Sequence, residues 1–171
     1  GLFGMEALLR AGAGPARAAV MTATAMGLFF ALSNAVGRLT WGWISERTGR
    51  RAAIVAMCLS QGTMMVLFPR LAGTEAGLYA AAAAGGFNFG GNYALFPAVT
   101  ADFFGNRSLG TNYPWVFMAG GLAGVAGPLL GGHMGDRQAW AWAFVPSGLA
   151  CFVGAALVLA LRPPGPRPRA D

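Results

Sequence analysis

Gly37-Arg38-Leu39-Thr40-Trp41-Gly42-Trp43-Ile44-Ser45-Glu46-Arg47-Thr48-Gly49-Arg50-Arg51 is the stretch on which the fold turns. It is a knot of charge set between two long runs, Ala18 to Gly37 and Ala52 to Pro69, that carry none. Each part of its second half has a physical use. Gly42 leaves room for close helix contact, Glu46 offers a carboxylate for pairing or for helix-end charge, Gly49 can turn the chain, and Arg50 with Arg51 can anchor it at anionic headgroups. An ordinary basic turn between two helices would need only the arginines. It would not require Gly at 42 and 49 together with Ser45 and an acid at 46.

Working outward, three more charge-free runs follow at Ala76 to Ala101, Ser108 to Gly135 and Gln138 to Leu161. A membrane helix needs about 20 apolar residues to cross roughly 30 Å of hydrocarbon, and each run is long enough. The first is expected to continue past Arg38 to Ile44, which buries that arginine. Five spans are predicted, at about 18–44, 52–69, 76–101, 108–133 and 138–161. Composition agrees. Of 171 residues, 56% are hydrophobic and 11% charged, against about 25% charged in soluble domains. Unbroken apolarity excludes the alternating pattern of barrel strands, so the fold class is an all-α membrane protein. Glycines cluster at Gly85-Gly86, Gly90-Gly91, Gly120-Gly121 and Gly124, where small residues are expected to let helix backbones approach.

All twelve basic residues are arginine and the net charge is +6. A basic chain can neutralise phosphates, but these arginines form no continuous face and sit where hydrophobic runs end. No nucleic-acid partner is expected. If the loop at 45–51 is cytoplasmic, that side holds Arg47, Arg50, Arg51, Arg107, Arg162, Arg167 and Arg169, against Arg10, Arg17, Arg70 and Arg137 opposite. The bias places residues 1–17 outside as a lead-in and 162–171 inside as a Pro-rich, disordered tail. The expected location is the inner (plasma) membrane, multi-pass, with a cytoplasmic C-terminus. Gly1 replaces an initiator Met, and the chain is expected to be partial, with an N-terminal half missing. Cys58 and Cys151 lie inside apolar runs and read as small core hydrophobes, not as a disulfide or metal site.

Residues Gly42 to Arg51 resemble the signature loop of the major facilitator superfamily, G-x-x-S-[DE]-[RK]-x-G-R-[RK]. In that superfamily the loop follows the second helix of each half, so the resemblance makes the five spans helices 8 to 12 of a twelve-helix fold. Gly91-Asn92-Tyr93-Ala94-Leu95-Phe96-Pro97, Asn112-Tyr113 and Gly124-Val125-Ala126-Gly127-Pro128-Leu129-Leu130-Gly131-Gly132 are similar to the oxalate:formate antiporter family, which moves small organic anions. An internal echo supports the placement. With an offset of 90 residues, Gly37, Leu39, Gly42, Glu46 and Arg47 fall on Gly127, Leu129, Gly132, Asp136 and Arg137, as an inverted repeat within one half would produce.

Arg38 is the leading candidate for chemistry. A guanidinium inside a span costs at least about 2.5–3.5 kcal/mol unless it faces a wet cavity or a partner. Asn34 lies one turn earlier on the same face, and the two could line a cavity where Arg38 takes a carboxylate through paired hydrogen bonds. The alternative is that Arg38 snorkels to the cytoplasmic interface. The resemblance favours the first reading, because oxalate-carrying relatives use an arginine here. On the third span Phe89 and Tyr93 make an aromatic face, and Asn88 with Asn92 an amide face. Helix packing is the competing explanation. The fourth span offers Tyr113, Phe117, Gly120 and Gly124 on one stripe. Oxalate carriers of the resembled family place a lysine where Gly120 stands, so a monoanion or another organic acid is expected in place of oxalate. Gly127-Pro128 with Gly131-Gly132 could hinge this helix or simply pack it, and His133 at its outer end reads as interfacial.

The function expected is secondary active transport of a small organic anion by alternating access, of the oxalate/formate type or another monocarboxylate, by antiport. The rivals are a carrier of a sugar, drug or osmolyte, and a non-transporting sensor or assembly subunit. The candidate substrate contacts are Arg38, Asn34, Phe89, Tyr93, Asn92, Phe117 and Gly120; the signature set is Gly42, Ser45, Glu46, Arg47, Gly49, Arg50 and Arg51. No cofactor and no metal are expected. One histidine and no nucleophile–base constellation leave little for an enzyme.

Overall fold

A computed structural model describes residues 2–137 and 139–161, and every element among them is helical. Helix α1 (Leu2–Arg10) is followed by a turn at Gly12, φ 90°, and then by one continuous rod from Pro15 to Thr48. That rod is α2 (Pro15–Thr24), a π-turn at Ala25–Phe30, and α3 (Ala31–Thr48). Then come α4 (Arg50–Leu71), α5 (Glu75–Phe104), a single 3-10 turn at Asn106–Ser108, α6 (Leu109–Asp136) and α7 (Ala141–Ala160). The lead-in thus contains a helix that the sequence reading did not anticipate. The first long rod starts at Pro15 because proline's fixed φ and missing N–H suit a helix's opening turn. The proposed tail at 162–171 lies outside the described residues.

Four of these helical rods are long and apolar enough to cross a membrane: Pro15–Thr48, Arg50–Leu71, Asn106–Asp136 and Trp142–Ala160. The third predicted span, α5, is not among them, although its 30 residues exceed the length needed. The physical reason lies in its composition and position. It is rich in Gly and carries Asn88 and Asn92, and its buried residues number nine, the most of any helix described. A central helix covered by protein needs less apolar surface than one facing lipid.

Close packing with α3 fixes α5 in place. A Cβ on Gly37 would lie 2.1 Å from the Phe87 carbonyl oxygen, one on Gly86 2.2 Å from that of Phe30, and one on Gly90 2.2 Å from that of Asn34. Only glycine lets the two backbones touch at these levels. Gly91 admits the Trp41 indole and the Met57 thioether in the same way. In a membrane, where apolar area gives no drive toward association, such contact is the main source of helix affinity. Helices α4 and α7 form a second close pair through Gly62 and Gly148, each Cβ position 3.0 Å from the other's carbonyl oxygen.

The glycines of α6 stand differently. A Cβ at Gly120, Gly121, Gly124, Gly127, Gly131 or Gly132 would meet nothing within 4 Å, and no residue of α6 is buried. These glycines bring no helix close among the described residues. Helix α6 runs unbroken through both Pro114 and Pro128.

Two buried clusters mark the two ends of the bundle. Leu8, Met21, Ala25, Ala72 and Leu78 gather where α1 meets α2 and α5. Trp41, Ala53, Ile54, Met57 and Leu95 gather near the signature loop.

Candidate functional site

The signature loop is a tight joint between α3 and α4. Thr48 ends one helix, Arg50 begins the next, and Gly49 between them has φ 88° and ψ 149°, in the region that glycine occupies without strain. Ser45 is buried, and its hydroxyl donates to the Gly42 carbonyl at 2.7 Å while accepting from Arg50. Arg50 Nε donates to Asp102 Oδ2 at 3.2 Å, tying the joint to the end of α5. Arg51 Nε reaches the Val158 carbonyl on α7 at 3.1 Å, and the Arg47 guanidinium lies 3.7 Å over Trp43. Glu46 is exposed and takes no partner among the described residues. The acid that pairs with the loop is therefore Asp102, from a helix 52 residues further on. A second glycine, Gly105 at φ 83° and ψ 153°, makes the equivalent turn after α5. Gly42 sits 4.0 Å, as a Cβ position, from the Ala94 Cβ, an ordinary contact.

Arg38 lies ten residues before Thr48, about 15 Å along the helix from the joint. Its side chain does not extend toward the loop. Nε donates to Asn34 Oδ1 at 3.1 Å, one turn back toward the helix start, and the guanidinium carbon lies 4.6 Å from the centre of the Tyr93 ring on α5. Its two terminal nitrogens have no hydrogen-bond partner among the described residues, and the residue is exposed. The backbone contact of Gly90 with Asn34 carries α5 close enough for Tyr93, three residues on, to meet Arg38.

Aromatic rings continue on both sides of Tyr93. Phe89 lies 5.4 Å away edge-on, with Phe30 at 5.7 Å beyond it; Phe117 of α6 lies 6.2 Å away, with Tyr113 at 5.8 Å beyond that. Phe89, Tyr93 and Phe117 are 44%, 37% and 49% exposed, so this is an open ledge and not core. The structure thus brings Arg38, Asn34, Phe89, Tyr93 and Phe117 together. Gly120 lies one turn beyond Phe117, in open space. The amide face is divided from this group. Asn88 is buried and accepts from Ser60 of α4 at 3.0 Å, while Asn92, one turn on, is half-buried with no partner among the described residues. Phe30 and Asp102 were missed as participants. The signal for Phe30 was its place one turn before Asn34 on the face that carries Arg38.

A cavity of about 510 Å³ lies elsewhere, between α2, α4, α5, α6 and α7 and under α1. Phe30, Met64, Phe68, Trp140 and Phe144 line it, and Arg38 does not. Gly131, Gly132 and Pro128 contribute to its wall. Two of its polar atoms, Thr22 Oγ1 and Gln61 Oε1, are buried with no hydrogen-bond partner among the described residues. Phe3 closes one side against Phe68, Trp140 and Phe144, and Glu6 accepts from Trp140 Nε1 at 2.8 Å. Among the described residues no cluster of His, Cys, Asp or Glu could hold a metal.

The sequence profile of the Major Facilitator Superfamily matches residues 6–171. The oxalate:formate antiporter of Oxalobacter formigenes is 30% identical over 138 residues, covering 80% of this chain and 33% of the antiporter. Apicoplast pyruvate carrier 1 of Toxoplasma gondii is 31% identical over 105 residues, 59% of this chain and 19% of the carrier. An uncharacterized MFS-type transporter of Escherichia coli (strain K12) is 31% identical over 96 residues, 55% of this chain and 23% of that protein. The chain spans a third or less of the length of these relatives.

Proposed function

Because this chain belongs to the Major Facilitator Superfamily, a family of multi-pass membrane transporters, we propose that it supplies helices 8 to 12 of a secondary active carrier of a small organic anion. Arg38 is the counter-charge, Asn34 orients it, and Tyr93, Phe89 and Phe117 wall the site. The carrier works by alternating access as an antiporter in the plasma membrane, with the signature loop and the C-terminus cytoplasmic.

One observation carries this reading: Arg38 sits ten residues before the end of a long apolar helix, and its two terminal nitrogens have no hydrogen-bond partner among the described residues. A carboxylate would satisfy both through parallel charge-assisted bonds, which a guanidinium's planar fork suits better than an ammonium does. The names of two relatives, an oxalate:formate antiporter and a pyruvate carrier, point to the same substrate class.

The test is uptake of a labelled carboxylate by the intact transporter in proteoliposomes. Arg38→Ala abolishes uptake while membrane insertion is retained, and Arg38→Lys recovers little. Uptake by Arg38→Ala at the unmodified rate would refute the assignment.

A further inference from the structure

We propose that Cys58 and Cys151 are a redox pair, which an apolar hydroperoxide dissolved in the bilayer oxidises to a disulfide that staples α4 to α7. Taken singly, each thiol is a small hydrophobe in an apolar run. The seam between the two helices sets them opposite each other. Three contacts fix its register: Arg51 bonds the Val158 carbonyl, the Cβ positions of Gly62 and Gly148 each lie 3.0 Å from the other's carbonyl oxygen, and the Phe68 and Phe144 rings lie 5.0 Å apart. Numbers rise along α4 as they fall along α7, so the helices run antiparallel at a nearly constant register. Cys58 stands seven residues after Arg51, and Cys151 seven before Val158. Seven residues make two turns to within about 20°, so each thiol repeats the face of a residue already in the seam. From the other side, Cys58 is one turn before Gly62 and Cys151 one turn after Gly148. A charge on the Cys151 sulfur is felt at Cys58, which places the two near each other. A disulfide spans Cα atoms about 4.4–6.8 Å apart, a separation within reach of residues that face across helices packed this closely.

Depth decides the oxidant. Arg51 stands at the charged joint, and Cys58 lies about 10 Å further along the helix at 1.5 Å per residue, inside the hydrocarbon. A charged oxidant such as oxidised glutathione is kept out by the cost of leaving water, whereas an organic hydroperoxide partitions in. One thiol sulfur attacks the terminal peroxide oxygen. The O–O bond breaks, the organic half leaves as an alcohol with the thiol's proton, and the cysteine becomes a sulfenic acid. The second sulfur then attacks the sulfenic sulfur, the S–S bond forms, and hydroxide leaves with the second proton as water. Two electrons pass from the pair of thiols to the peroxide.

The experiment treats the intact transporter in liposomes with cumene hydroperoxide or with oxidised glutathione, then digests it without reductant and reads linked peptides by mass spectrometry. The peptide holding Cys58 is expected to be joined to that holding Cys151, at least about ten-fold faster with the hydroperoxide. The linked protein is expected to unfold at a temperature a few degrees higher, a gain that dithiothreitol reverses. Moving the thiol by one position, with Cys58→Ser and Leu59→Cys together, turns it about 100° out of the seam and is expected to prevent linkage to Cys151. Failure of Cys58 and Cys151 to link, or linkage without the thermal gain, overturns the facing pair. Linkage from position 59 as fast as from 58 does the same, and equal rates with the two oxidants overturn closure from the bilayer.

Discussion

The guanidinium carbon of Arg38 lies 4.6 Å from the centre of the Tyr93 ring, so a charge on α3 is held against an aromatic face on α5. An exposed contact of this kind contributes about 0.5–1 kcal/mol, and a desolvated one about 2. An arginine at the centre of a membrane span costs about 2.5–3.5 kcal/mol. The ring and the Asn34 bond together offset part of such a cost, and on the reading of Arg38 as the anion contact a bound anion would offset more.

Tyr93→Leu is therefore expected to weaken anion binding. Loss of about 0.5–1 kcal/mol corresponds to a rise in apparent KM of about 2- to 5-fold, with Tyr93→Phe nearly unaffected because the π face is kept. Concentration dependence of uptake checks this. An equal loss in Phe and Leu variants would assign the role to the hydroxyl.

Substitution at Gly90 should be far more damaging than at Gly124. A Cβ at 90 meets the Asn34 carbonyl at 2.2 Å, where backbone must move, whereas one at 124 meets nothing within 4 Å. Gly90→Leu is expected to cost about 3 kcal/mol or more, above the usual range for overpacking, and Gly124→Leu almost nothing. Thermal unfolding in detergent, followed by the monodisperse fraction, distinguishes them.

Gly49→Ala is expected to destabilise by about 1–3 kcal/mol, since φ 88° with ψ 149° is a backbone region essentially confined to glycine. Gly105→Ala at φ 83° should match it. The same thermal assay applies, and a stabilised variant at either position would contradict the turn geometry.

Asp102→Asn should cost about 0–1 kcal/mol, because the pair with Arg50 is partly solvated, at 29% and 53% side-chain exposure. The double exchange Arg50→Asp with Asp102→Arg tests pairing directly. Transport restored above that of each single variant supports a functional tie between the joint and α5; additive losses do not.

Much of this was legible in the chain because bilayer thickness imposes run length. Four long helices fall close to the charge-free runs, and Gly49 at a charged joint announces a turn. The helix expected at 76–101 is present as α5, where α3 and α4 cover its glycines and Asn88. At α6 the glycines meet no neighbour among the described residues, since glycine content permits close approach without supplying a partner. The Arg50 partner was hidden for a different reason. Glu46 is the nearer acid in sequence, but it sits on α3's exposed surface, while Asp102 arrives only once α5 has packed. Phe30, Phe89, Tyr93, Phe117 and Tyr113 join across three helices, an alignment that no single-helix periodicity reveals.

The backbone contacts at Gly37, Gly86 and Gly90 have a mechanical meaning. Two rods whose glycines meet each other's carbonyl oxygens resist sliding and tilting, so α3 and α5 are expected to move as a single beam. Spin labels placed one on each should report the same separation in every stage of a transport cycle, an internal ruler. Within this chain, a change in distance from that beam is expected first at α6, which has no buried residue.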